Sequence, residues 1–152
     1  MLIEKVNKAD KTVIDGIVNI HLKAFQGFFL TFLGKGFLKT MYSCYTAFEN
    51  AELLVAKEGD ALLGFVSYST DMSELYKFML KRKFFSFIWF AFLGFLKQPK
   101  AFLRLFRALN KSKEVARKEK YVEISSIGVD TDYKRMGVGS KLLEEVKKSV
   151  DY

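Results

Sequence analysis

The chain has 152 residues, half of them hydrophobic, and a net charge of +8. That length supports one domain with a real core, and that apolar content excludes a disordered chain. The charge is local: residues 77–120 hold 13 Lys/Arg against 2 Asp/Glu, and the remainder is slightly acidic, which argues against a uniformly basic nucleic-acid binder.

The N-terminus, MLIEKVNKAD, is charged within its first five residues and has no apolar stretch. A secretory signal is therefore not expected, and a cytoplasmic location is. Leu2–Val6 reads as a short strand, and Asp10 is placed to cap the next helix. Val13, Ile14, Ile17, Val18, His21 and Phe25 recur at helical spacing over residues 11–25. His21 is the only histidine and Cys44 the only cysteine, so a disulfide framework and a Cys/His zinc cluster are excluded. His21 lies on or beside the apolar stripe. A structural histidine is the plainer reading, and a substrate-side acid or base the sharper one.

Gln26-Gly27 breaks the helical pattern ahead of Phe28, Phe29 and the glycines at 34 and 36. A second helix runs through Phe37, Met41, Cys44, Tyr45 and Phe48. Glycines beside large aromatics permit a bend that either shows Phe28 and Phe29 to a cleft or packs them in the core. Cys44 in this apolar pattern reads as a buried, inert thiol. Ala51–Ala56 and Ala61–Ser69 read as two strands joined at Lys57-Glu58-Gly59-Asp60. Gly64 inside the second suggests a bulge or a close backbone approach.

Residues 71–120 stand apart. Nine of the sixteen phenylalanines fall between Phe78 and Phe106, and Phe84–Leu96 is an uncharged run of 13 residues. A spanning helix needs about 20. Pro99 suits the first turn of another helix. There Phe102, Leu105, Phe106 and Leu109 form one stripe, and Lys100, Arg104, Arg107 and Lys111 another. A helical subdomain packed on the main domain is expected. A homodimer contact and a peripheral membrane contact through 77–111 are the alternatives. Nucleic acid is a weaker partner, because this aromatic run reads as buried. Lys111–Lys120 reads as a charged, exposed connection.

Tyr121–Val150 reads as strand, glycine loop, helix. Val122, Ile124, Ile127 and Val129 are strand formers, and Asp130-Thr131-Asp132 carries turn chemistry. Lys134-Arg135-Met136-Gly137-Val138-Gly139-Ser140 then opens a helix through Leu142, Leu143 and Val146. Glycines at a helix mouth let the backbone approach a ligand, the first-turn N–H groups point at it, and two cations sit beside them. The physical reading is a phosphate or pyrophosphate site. Leu142 stands where a third glycine would be needed, so this is not a dinucleotide fingerprint.

This order of elements resembles the GNAT superfamily of N-acetyltransferases. VAKEGDALLGFVSYS is similar to its central hairpin, and ISSIGVDTDYKRMGVGSKLLEEV to its acetyl-CoA motif R/Q-x-x-G-x-G/A, with Lys134 at the first position. The close likeness covers about 30 residues, and residues 1–70 match in topology. The resemblance implies an α/β (α+β) fold: a mixed, mostly antiparallel sheet flanked by helices. The helical insertion falls between the third and fourth strands of a single domain, 1–152.

It also implies acetyl-CoA as co-substrate, with no metal. The backbone of Lys134, Arg135, Met136, Gly137, Val138, Gly139 and Ser140 would hold the pyrophosphate. Ile127, Gly128 and Val129 would meet the pantetheine arm. Glu123 stands where relatives often place the carboxylate that deprotonates the acceptor amine and is the candidate catalytic base, a role that a pKa raised in a half-buried strand would suit; an exposed strand residue paired with a lysine is the alternative. Strand alternation would put Glu123, Ser125, Ile127 and Val129 on one face. Phe25, Phe28 and Phe29 are candidate substrate-binding residues for a small-molecule or sugar amine. Relatives continue with a further strand and helix past the motif helix, so a C-terminal continuation beyond Tyr152 is expected. The non-enzymatic alternative is a membrane-surface or partner-binding protein on the same scaffold.

Overall fold

The computed structural model describes residues 1–8, 10–111 and 121–150. Four strands form one antiparallel sheet in the order β1-β2-β3-β4. These are β1 (Leu2–Lys5), β2 (Ala51–Glu58), β3 (Ala61–Ser69) and β4 (Glu123–Val129). Helices α1 (Lys11–Ala24), α2 (Phe29–Phe32) and α3 (Gly34–Ala47) lie between β1 and β2. Helices α4 (Met72–Lys97) and α5 (Pro99–Lys111) lie between β3 and β4, and α6 (Val138–Ser149) follows β4.

Two apolar layers sandwich the sheet. On one face Ile14, Ile17 and Val18 of α1 meet Leu38, Tyr42 and Tyr45 of α3, Leu53, Val55 and Phe65 of the sheet, and Leu75 and Met79 of α4. On the other face Leu54, Ala56, Leu63, Val66 and Tyr68 meet Val138, Leu142 and Val146 of α6. The helical spacing of each set is what builds these faces.

Side chains cap the starts of α1 and α4. The Asp10 side chain accepts from Val13 N at 3.1 Å, and that of Asp71 accepts from Glu74 N at 3.0 Å. Pro99 opens α5. Phe102 there stands edge-on to Phe95, ring centroids 5.7 Å apart. The side chains of Leu105, Phe106, Leu109 and Lys111, and the connection 112–120, lie outside the described residues.

Gly36, where the sequence suggests a bend, and Gly94 both pack helices together. A Cβ on Gly36 would fall 2.3 Å from the Phe90 ring, and one on Gly94 3.1 Å from Leu33 and 3.3 Å from the Phe32 carbonyl. Each glycine lets α4 lie directly on the α2–α3 segment. The bend itself belongs to Gly27 and Gly34, at φ 80° and 87°. Gly64 is a close approach, since its Cβ would stand 2.8 Å from the Gly128 carbonyl. A register shift of the β2–β3 pair lies beside it.

Helix α4 is kinked at Lys83, whose φ of −130° and ψ of 26° are not helical. Before the kink Met72, Leu75 and Met79 are buried, and after it Phe87 and Gly94. Much of the opposite side is exposed, Phe85 at 86% and Trp89 at 57% among them. Among the described residues no helix is long and apolar enough to cross a membrane.

Candidate active site

Strand β4 is the edge of the sheet among the described residues, and it is not regular. Ser67 of β3 pairs with Ser126, but its neighbour Tyr68 pairs with Ile124. Ser125 is therefore an extra residue, a β-bulge, and it reverses the alternation. Gly128 lies toward Phe65 and Ile20 of the α1–α3 face, and Glu123 pairs with Ser69 at the other end of the strand. Ile127 and Val129 pack on the α6 face. The expected single face of Glu123, Ser125, Ile127 and Val129 is thus corrected: the bulge separates them.

The bulge is held by hydroxyls. Ser125 Oγ lies 2.5 Å from the Tyr45 hydroxyl and 2.8 Å from Ser67 Oγ. Burial pushes the Tyr45 phenol up to about 12, so it stays protonated at neutral pH. The Glu123 carboxylate is near enough to add to that rise. Glu123 itself stands exposed at the start of β4, not half-buried as the strand pattern suggests.

Past β4, the Asp130 side chain accepts from Asp132 N at 3.0 Å and starts a 3-10 turn over Thr131–Tyr133. Lys23 of α1 lies 3.7 Å from the Asp130 carboxylate and ties the turn to the sheet's other helices. The loop then turns through Arg135, φ 65°, and Gly137, φ 77°. Gly137 is the N-cap of α6, and no side chain caps this helix. Its first-turn N–H groups have no partner within the helix, and the positive end of the helix dipole is at the surface. Val138 is buried against Gly64 and anchors the turn, while Lys134, Arg135, Met136, Gly137 and Ser140 are exposed. An uncapped helix start and two exposed cations thus lie next to one another along the loop, a combination that suits a pyrophosphate.

On the α3–α4 side a cavity of about 470 Å3 reaches the bulge. Leu30, Phe37, Met41 and Tyr45 form one wall, and Tyr76, Met79, Leu80, Phe84, Phe87, Ile88 and Ala91 of α4 the other. Ser125, which is exposed, and Ser126, which is buried, line it where it meets the sheet. Phe25 and Phe28 do not line it. Phe25 packs partly buried against the core with its ring on His21, and Phe28 is exposed. The Phe29 side chain lies outside the described residues.

The α4 wall, Tyr45 and the serine pair are the site features that sequence reasoning misses. One signal for the last was present: two adjacent serines inside an apolar strand, at odds with period-2 alternation.

His21 is a core residue. It is buried, its Nδ1 lies 2.7 Å from the Tyr42 hydroxyl, and its Nε2 has no hydrogen-bond partner. Burial holds its pKa at about 4 instead of the usual 6.5. Between those values the unfolded chain binds a proton that the folded chain refuses, so stability falls as pH drops from 6.5 toward 4. The loss is expected to approach about 3 kcal/mol. Because this is the sole histidine, its NMR titration can be read directly; a midpoint near 6.5 in the folded protein would contradict the assignment. Burial likewise raises the Cys44 thiol pKa. Among the described residues no group of His, Cys, Asp or Glu could hold a metal ion.

The profile of the acetyltransferase (GNAT) family matches residues 15–150, and the chain belongs to that family. The match runs from α1 through the glycine loop to the end of α6, with α4 and α5 inside it. Members characteristically use acetyl-CoA as acetyl donor. No curated protein matches the chain.

Proposed function

We propose that this chain transfers the acetyl group of acetyl-CoA to the primary amine of a small-molecule acceptor by direct attack. The observation that carries the reading is the uncapped N-terminus of α6, opened by left-handed Gly137 directly after a bulged edge strand. Lys134–Ser140 would cradle the pyrophosphate, and the edge of β4 from Val129 to Ser125 would run alongside the pantetheine arm.

Acetyl-CoA supplies an activated thioester. The acceptor nitrogen attacks the carbonyl carbon, the C–N bond forms and the C–S bond breaks. One proton passes from nitrogen to Glu123, directly or through a water, and the departing thiolate takes a proton from solvent. The bulge places Ser125 outside the strand register, and its main-chain N–H is the group that would donate to the thioester carbonyl oxygen. Glu123 is supported by its place on this strand and its proximity to Tyr45.

Glu123→Gln is expected to lower kcat by about 10²–10⁴-fold with the KM for acetyl-CoA unchanged. Initial rates of thiol release measure it. Full activity in that variant would remove Glu123 from the mechanism.

A further inference from the structure

We infer that the amine acceptor carries an apolar tail, which lies in the cavity between α3 and α4 with its amine at the Ser125–Ser126 bulge. This rests on the acyltransferase reading above and narrows its acceptor. The cavity has a polar end and an apolar end. At the sheet, Ser125, Ser126 and the Tyr45 hydroxyl supply hydrogen-bonding groups. Outward from them, Met41, Met79 and Phe87 are buried, and Leu80, Phe84 and Ile88 form a half-exposed mouth. The mouth continues into the exposed aromatic side of α4.

The volume, about 470 Å3, is that of a small-molecule site. Among the described residues no charged side chain lines it. A phosphorylated sugar or a polyamine would lose hydration there without an ionic partner. An alkyl or aromatic tail loses nothing and is removed from water. The same surroundings favour the neutral form of the amine, which is the nucleophile. The walls are held in place by the close contacts of Gly36 with Phe90 and of Gly94 with Leu33. An acetyl group needs little of this space, which leaves it to the acceptor.

The test is a series of unbranched primary amines, from ethylamine to decylamine, with acetyl-CoA and thiol release as readout. We expect kcat/KM to rise roughly threefold per added methylene over the first several carbons. Ala91→Trp, which fills the cavity, is expected to flatten the series. So is Leu80→Asp, a surface change at the mouth that spares the core. In both variants the thermal shift given by coenzyme A persists, which shows that they fold. A flat series in the wild-type chain, with the coenzyme A shift intact, overturns the apolar acceptor and leaves the acyltransferase standing. Chain-length dependence on the thioester, tested with octanoyl-CoA, and not on the amine also overturns it. Absence of any coenzyme A shift brings down the acyltransferase reading itself.

Discussion

Gly137→Trp is expected to abolish coenzyme A binding while leaving the fold in place. Gly137 has φ of 77°, and nothing lies within 4 Å of the position its Cβ would take. A side chain there strains the backbone by about 1–2 kcal/mol but meets no protein atom. It would fill open space at the mouth of α6, where the pyrophosphate is proposed to sit. At a ligand concentration of 100 times Kd the wild-type chain gains about 2.7 kcal/mol, or roughly 5–10 °C in Tm. In the variant that gain is expected to vanish, and kcat/KM to fall by at least about 100-fold. Gly139→Ala provides the contrast: its Cβ would meet Val129 at 3.8 Å, an ordinary contact, so the free protein tolerates it. A Gly137→Trp chain that still responds to coenzyme A like the wild type would rule out this loop as the pyrophosphate site.

The largest stability effect is expected at Phe65. Its side chain is fully buried, stands edge-on to Tyr42 at 5.3 Å, and covers Gly128 of β4. Phe65→Ala is expected to cost about 3–5 kcal/mol through lost burial and the cavity left behind. That is a large part of the ~5–15 kcal/mol that holds a domain folded. The same ring makes Gly128→Ala destabilising, because the new Cβ would fall 2.7 Å from Phe65 Cε1. The two changes should therefore be far from additive. Once Phe65 is alanine, the space that Gly128→Ala needs is free. A denaturant-unfolding cycle is expected to show at least about 1 kcal/mol of coupling. Additive effects would mean that β4 shifts away from the ring at little cost.

Local pattern made much of this legible. The strands, the helices at 11–25 and after Gly36, the cap at Asp10 and the glycine loop all follow from spacing and turn chemistry. What was not legible depends on other parts of the chain. A bulge is an agreement between two strands, so Ser125 could not be placed by counting along β4 alone. Gly36 reads as a bend until α4 is laid against α3, when it becomes a contact point, and Gly94 on α4 is a second one. The kink at Lys83 has neither proline nor glycine to announce it. Phe25 and Phe28 do not line the cavity, one wall of which is made by α4, a helix far along the chain.

Ser69 and Glu123 are register partners. The chain leaves the sheet at one and returns beside it at the other, so everything from 70 to 122 is an excursion whose two ends are clamped together by a strand pair. Such a loop can lengthen cheaply, since doubling it costs only about 0.6 kcal/mol in closure entropy. Its first turns stay tied to the sheet, because Leu75 and Met79 are buried in the same core layer as Leu53, Val55 and Phe65. Yet this excursion supplies half of the cavity wall, while the glycine loop and the bulge lie outside it or at its border. Under the proposed function, most of the wall that would meet the acceptor falls within 70–122, and the loop proposed to hold coenzyme A falls outside it. Grafting a different excursion between Ser69 and Glu123 becomes the natural way to redirect the proposed transfer.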